Sequence, residues 1–229
     1  MENNDLEPAA AESSSADDSV VGLAVDRSIG RRRANAQAEI ERLVGAALAV
    51  IRRTGRLEPT VSDILAEAGL SNQAFYRHFR SKHELLVAVL DQGIRGLATY
   101  LSGRMAAAES PGAAIREWIR GLAAQAGDPG GAQATRPFVL ARAKLAEAFP
   151  SEVARSAAQI TAPLRASLEQ ARHDGEMPAV DPVRDAEMLY LLMMGWLEAR
   201  LLDGRIPEQV EVIRLEAFIL AGLSRRLES

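Results

Sequence analysis

Three residues that can cap helices, Thr60, Ser71 and Ser81, fall close together in the sequence, and Gly69 stands between the first two. A Ser or Thr side chain at such a point accepts a hydrogen bond from a free amide of the first helical turn. Glycine adopts the left-handed conformation that closes a helix. Together they predict a helix over 60–68, the corner A68-G-L-S71, a second helix over 72–79 and a third beginning at Ser81. Asp63 and Glu84 each lie three residues after a cap and complete capping boxes, Asp63 in the place where Glu or Gln is usual. Val61, Ile64, Leu65 and Ala68 form the inward face of the first helix, and Phe75 and Phe79 anchor the second. This is helix-turn-helix spacing.

The rest of the chain has the same period. Ile40, Leu43, Val44, Ala47, Leu48 and Ile51 make one apolar stripe, which predicts a helix over 34–54 that ends at Gly55. Ser110-Pro111 opens a helix to about 126, Gly127–Gly131 reads as a flexible loop, and helix resumes over 135–149. A long helix over 151–173 holds Pro163, where a kink is expected, and Gly175 ends it. Asp181-Pro182 starts another to Asp203, and 207–227 is the last. No alternating β pattern and no repeat is present, and the apolar content is mostly Ala and Leu. The fold class is all-α.

Charge is spread unevenly. Residues 1–26 hold seven acids and no Lys or Arg, 27–104 carry a net +6, and 105–229 a net −3. The first 30 residues, without a sustained apolar period, are expected to form a disordered acidic tail. A basic segment beside it fits a nucleic-acid surface or an ordinary solvated face. In helix-turn-helix geometry the second helix enters the major groove with its N-terminal residues toward base edges. Ser71, Asn72 and Gln73 fall there, the amides able to pair with adenine, and Ala74 can touch a thymine methyl. Tyr76 and His78 suit phosphate oxygens, and Lys82 opens the next helix, whose free amides add to its charge. With Thr60 and Arg77 these are the candidate contacts to double-stranded DNA. Arg31, Arg32 and Arg33 fit either a flexible minor-groove arm or a solubilising helix start.

The run T60-V-S-D-I-L-A-E-A-G-L-S-N-Q-A-F-Y-R-H-F-R-S-K-H-E-L-L86 resembles the DNA-binding signature of the TetR family of transcriptional regulators. With its flanking helices the likeness reaches roughly from residue 34 to residue 105. Leu65, Gln73 and Ala74 depart from the family's usual Ala, Gly and Thr or Ser, which bears on operator contacts more than on fold. The resemblance implies a head over 31–80 and a larger effector-binding and dimerisation domain over 81–229. It also implies a homodimer on a palindromic operator, most often a repressor, which releases DNA when a ligand moves the two heads apart.

In the last two helices, Leu189, Met193, Leu197, Val212, Leu215, Ile219 and Leu223 can pack inside one chain or against a second copy, and the resemblance implies the copy. Val210, Ile213, Ala217 and Leu220 form another stripe on the last helix. Tyr100, Trp118, Phe138, Phe149, Met193 and Trp196 can line an effector pocket or fill a core. Few polar groups interrupt them, which points to a hydrophobic effector. There is no phosphate loop, zincin motif, nucleophile elbow or cysteine, so neither catalytic residues nor a metal or other cofactor are expected. A helical partner-binding scaffold without DNA activity remains the other reading. The longest apolar run, M188–L197, is too short to span a membrane, and the acidic N-terminus lacks a signal pattern; a soluble cytoplasmic protein is expected.

Overall fold

A computed structural model describes residues 19–224. Among the described residues there are ten α-helices and no strand. These are α1 (Val20–Thr54), α2 (Val61–Ala68), α3 (Asn72–His78), α4 (Lys82–Ala106) and α5 (Pro111–Gly127). They continue with α6 (Pro129–Leu140), α7 (Arg142–Ala148), α8 (Pro150–His173), α9 (Pro182–Asp203) and α10 (Gln209–Ser224). No described helix is long and apolar enough to cross a membrane.

The chain divides between Glu41 and Arg42. The described part of the first unit is the leading portion of α1, which starts well before residue 34. Ser19 caps it, its hydroxyl accepting the Gly22 N–H at 3.0 Å. Of the expected disordered tail, residues 20–30 are therefore helical, and 1–18 lie outside the described residues. Ala, Val and Arg carry the helix through, and Gly30 costs it only about 1 kcal/mol.

In the second unit, Leu43, Ala47, Val50 and Ile51 of α1, Ile64 and Ala68 of α2, Ala74 and Phe75 of α3, and Leu85 and Val89 of α4 are buried. They are the core of the head. The body has its own core, which runs from Leu101 and Met105 of α4 through Ile115, Trp118 and Leu122 of α5 to α8, α9 and α10. The α4 and α5 helices approach closely at Gly121, where a Cβ would stand 2.6 Å from Leu101 Cδ2. At the edge of this core Glu216 of α10 is buried. It accepts two hydrogen bonds from Arg120 of α5, at 2.7 and 3.1 Å.

Two expectations are corrected in the body. The stretch 127–131 is not a flexible loop: the Asp128 carboxylate accepts the Gly131 N–H at 2.7 Å, and Pro129 takes the first helical position of α6. An Asp-Pro pair makes a helix start even when glycines follow it. Nor is helix continuous from 135 to 149. Pro137 withholds an amide inside α6, and the path breaks at Ala141, separating α7. Pro163, by contrast, lies within an uninterrupted α8. Positions 225–227 of the expected last helix lie outside the described residues.

Candidate nucleic-acid interface

The head is built from its caps. The Thr60 hydroxyl accepts the Asp63 N–H at 3.1 Å, and the Thr60 N–H returns a bond to Asp63 Oδ2 at 3.2 Å. The same hydroxyl donates to Asp63 Oδ2 at 2.6 Å, which with the backbone bond holds the Asp63 carboxyl below its usual range. Gly69 turns the chain at φ 61°, and its N–H reaches the Leu65 carbonyl. Ser71 then caps α3 by accepting the Ala74 N–H at 3.2 Å.

This leaves α3 with one outward and one inward side. Asn72, Gln73, Tyr76 and Arg77 are exposed, while Phe75 and Phe79 are buried, their rings 5.9 Å apart. Tyr76 is 63% exposed, yet its ring meets Phe75 edge-on at 5.1 Å, so the phenol stands on an apolar brace. His78 is half-buried.

Three expected contacts need correction. Ala74 is only 5% exposed and belongs to the head core, not to a surface that could meet a thymine methyl. A single-residue shift along a helix turns a side chain by about 100°, and this one faces inward with Phe75. Thr60 is exposed, but its hydroxyl is already engaged with Asp63 as both donor and acceptor. Arg31, Arg32 and Arg33 are exposed residues of a continuous helix, not a flexible arm.

Lys82 occupies the first turn of α4, where Ser81 accepts the Glu84 N–H at 3.2 Å. The Glu84 carboxylate reaches past the cap to the Arg80 N–H at 2.7 Å, so the expected box closes one residue early. Lys82 also has a protein partner, Glu58, with Nζ to Oε2 at 3.5 Å.

Sequence reasoning missed the side chains that join α1 to α2. Arg42 Nη2 donates to the Ala68 carbonyl at 2.6 Å, and Arg53 pairs with Glu67 at 2.7 Å. Nothing in the local pattern distinguishes these arginines from solvated ones.

The expected pocket residues do not form one set. Trp118 and Met193 are fully buried in the body core, and the Trp118 indole N–H donates to the Ile160 carbonyl at 3.0 Å. Trp196 packs against that core. Tyr100 lies partly exposed under Arg104, which donates to its hydroxyl at 3.1 Å. Phe149 stands 6.2 Å from the His83 ring, and Phe138 is half-buried. Sequence reasoning also passed over Tyr190, which is buried; burial pushes its phenol up, with Arg142 opposing.

The expected dimer set is largely turned inward. Leu189, Met193, Leu197, Ile219 and Leu223 are buried in the chain's own core, and Val212 and Leu215 pack against it. The large apolar side chains left exposed are Val183, Met188, Leu191 and Leu202 of α9, and Val210, Ile213 and Phe218 of α10. A helix with two apolar stripes gives no sign of which one meets its own chain. Among the described residues no cluster of three or more His, Cys, Asp or Glu could hold a metal ion.

Residues 43–89 match the family described as bacterial regulatory proteins, tetR family. No curated protein matches the sequence. Solved structures share the fold. A TetR-type transcriptional regulator from Streptomyces avermitilis is 22% identical, covering 82% of this chain and 99% of that one at a TM-score of 0.64. A TetR-family transcriptional regulator from Streptomyces coelicolor is 23% identical, covering 88% and 96% at 0.64. The regulator FadR from Bacillus subtilis, solved with stearoyl-CoA, is 16% identical, covering 82% and 98% at 0.62. Residues 43–89 thus match the tetR family of bacterial regulatory proteins, and the chain shares the fold of solved TetR-type regulators.

Proposed function

We propose that the chain is a transcriptional repressor that binds a palindromic operator as a homodimer and is released by a small hydrophobic effector. The observation that carries this reading is the two-sided α3. Asn72, Gln73 and Tyr76 stand exposed at its start, on a base of buried Ala74, Phe75 and Phe79. Amides at a recognition-helix N-terminus are placed to read base edges, and a braced phenol to fix register on phosphate. Arg77, His78 and Lys82 add to the same surface. We assign the head to residues 31–80 and the body to 81–229.

Homodimerisation is supported by the exposed apolar residues of α9 and α10, among them Met188, Leu191, Ile213 and Phe218. Exposed apolar side chains on two consecutive helices favour burial against a second copy. A hydrophobic effector is supported by the body's aliphatic and aromatic interior, and a protein of the same fold holds stearoyl-CoA. As in the family, the function is regulatory and not enzymatic.

The test is a gel shift with the DNA flanking the gene, in excess competitor DNA. A salt-sensitive complex that resists competitor, lost in Tyr76→Ala with dimer and melting curve unchanged, is the expected result. A folded dimer that captures no sequence from random DNA would leave the partner-binding scaffold as the better description.

A further inference from the structure

We propose that Glu58 governs how much of the Lys82 charge is available to a DNA phosphate, and that Lys144 in the body sets the state of Glu58. The inference rests on reading α3 and the start of α4 as a DNA surface.

Glu58 lies in the segment between α1 and α2, where its neighbour Pro59 is buried and Thr60 caps α2. The segment therefore cannot move freely. One carboxylate there serves two ammonium groups. Oε1 accepts from Lys144 of α7 at 2.5 Å, and Oε2 faces Lys82 of α4 at 3.5 Å. The Lys144 bond is the tighter, and Lys144 more than Lys82 holds the Glu58 carboxyl below its usual range. A second contact joins the same regions: the His83 ring, beside Lys82, lies 6.2 Å from the ring of Phe149, which follows α7.

The geometry gives the coupling a sign. While Lys144 is engaged, it offsets the Glu58 charge, and Lys82 is held loosely enough to turn to a phosphate. If α7 withdraws, the whole carboxylate is left to Lys82. The phosphate then competes with an intramolecular partner that salt screens less than an exposed, distant one. The α7 helix is suited to such a shift because it is short and set off by breaks, at Ala141 before it and Phe149 after it. Coupling of this kind runs both ways, so DNA bound at Lys82 would also favour the Glu58–Lys144 pair.

The experiment is a double-mutant cycle on DNA affinity at one fixed ionic strength. The probe is a duplex selected from random sequence by the unmodified protein. Lys144→Met should weaken binding about two- to fivefold, the range of an exposed ion pair. Glu58→Gln should strengthen it by a similar factor. Lys144→Met added to Glu58→Gln should then change nothing further. Both positions are exposed, and melting curves verify the fold of each variant. Equal losses from Lys144→Met in both backgrounds would overturn the proposal, since that is what any lost positive charge near DNA produces. Unchanged affinity in Glu58→Gln would overturn it too. If the unmodified protein selects no duplex at all, the DNA-binding reading fails along with it.

Discussion

Arg42 of α1 donates to the carbonyl of Ala68 at 2.6 Å, at the end of α2 just before the chain turns into α3. A cation at a helix C-terminus also meets the negative pole of its dipole. Arg42→Met keeps most of the apolar stem and removes the bond. It should cost about 1–2 kcal/mol of stability. DNA affinity should fall because the angle between α2 and α3 loosens. Thermal melts with a parallel gel shift check this; an unchanged melt would mean the bond adds nothing over solvent.

Tyr76 separates bracing from contact. Tyr76→Phe keeps the edge-on packing against Phe75 and removes only the hydroxyl. Affinity should drop about five- to tenfold, near the value of one hydrogen bond, with no change in melting temperature. Tyr76→Ala should lose more. A Phe variant that binds like the parent would show that the phenol oxygen touches nothing on DNA.

Base readers and phosphate holders should behave differently. Asn72→Ala and Gln73→Ala should relax discrimination at one base pair, worth about 1–3 kcal/mol. Lys82→Ala should weaken all sequences alike and lower the salt slope by about one. Binding across a panel of single-base operator variants at several salt concentrations distinguishes the two patterns.

The Asp63 carboxyl is held below its usual range first by the Thr60 hydroxyl. Its folded value is therefore lower than its unfolded one. The stabilisation it brings is complete above the unfolded value, about pH 4, and is lost as the pH falls through the lowered folded value. Asp63→Asn should flatten the acid limb of the stability curve while leaving the ranking of the other variants alone. Melts taken on the acid side of about pH 5 make the comparison.

On α10, Phe218 is 70% exposed while Ile219 beside it is buried. Phe218→Glu and Leu191→Glu should give folded monomers in sedimentation. Ile219→Glu should unfold the body, since an unpaired buried charge is among the costliest changes a core can take.

Neighbouring positions of opposite role also explain what could be read in advance. The head was legible because its signals are local. Thr60, Gly69, Ser71 and Ser81 each mark a boundary through their own side chain or backbone, and the structure places caps at those residues. Ser19 marks a boundary just as locally, but the acidic composition around it masked the signal. Asp128-Pro129 was masked by the glycines that follow. The inward turn of Ala74 and the choice between the stripes of α10 depend on partners far away in sequence. Periodicity gives the faces of a helix, not what each face meets. The same holds for Arg42 and Glu58, whose roles come from residues on other helices.

The indole of Trp118, sealed in the core with its N–H on the Ile160 carbonyl, has one further consequence. The chain's two tryptophans, Trp118 and Trp196, both lie in the body, and none lies in residues 31–80. Intrinsic emission excited at the red edge therefore reports on the body alone, without a label. A duplex docking on α3 should be dark in that channel unless its arrival is felt in the body, so any change in emission on adding DNA measures communication between the two ends of the molecule.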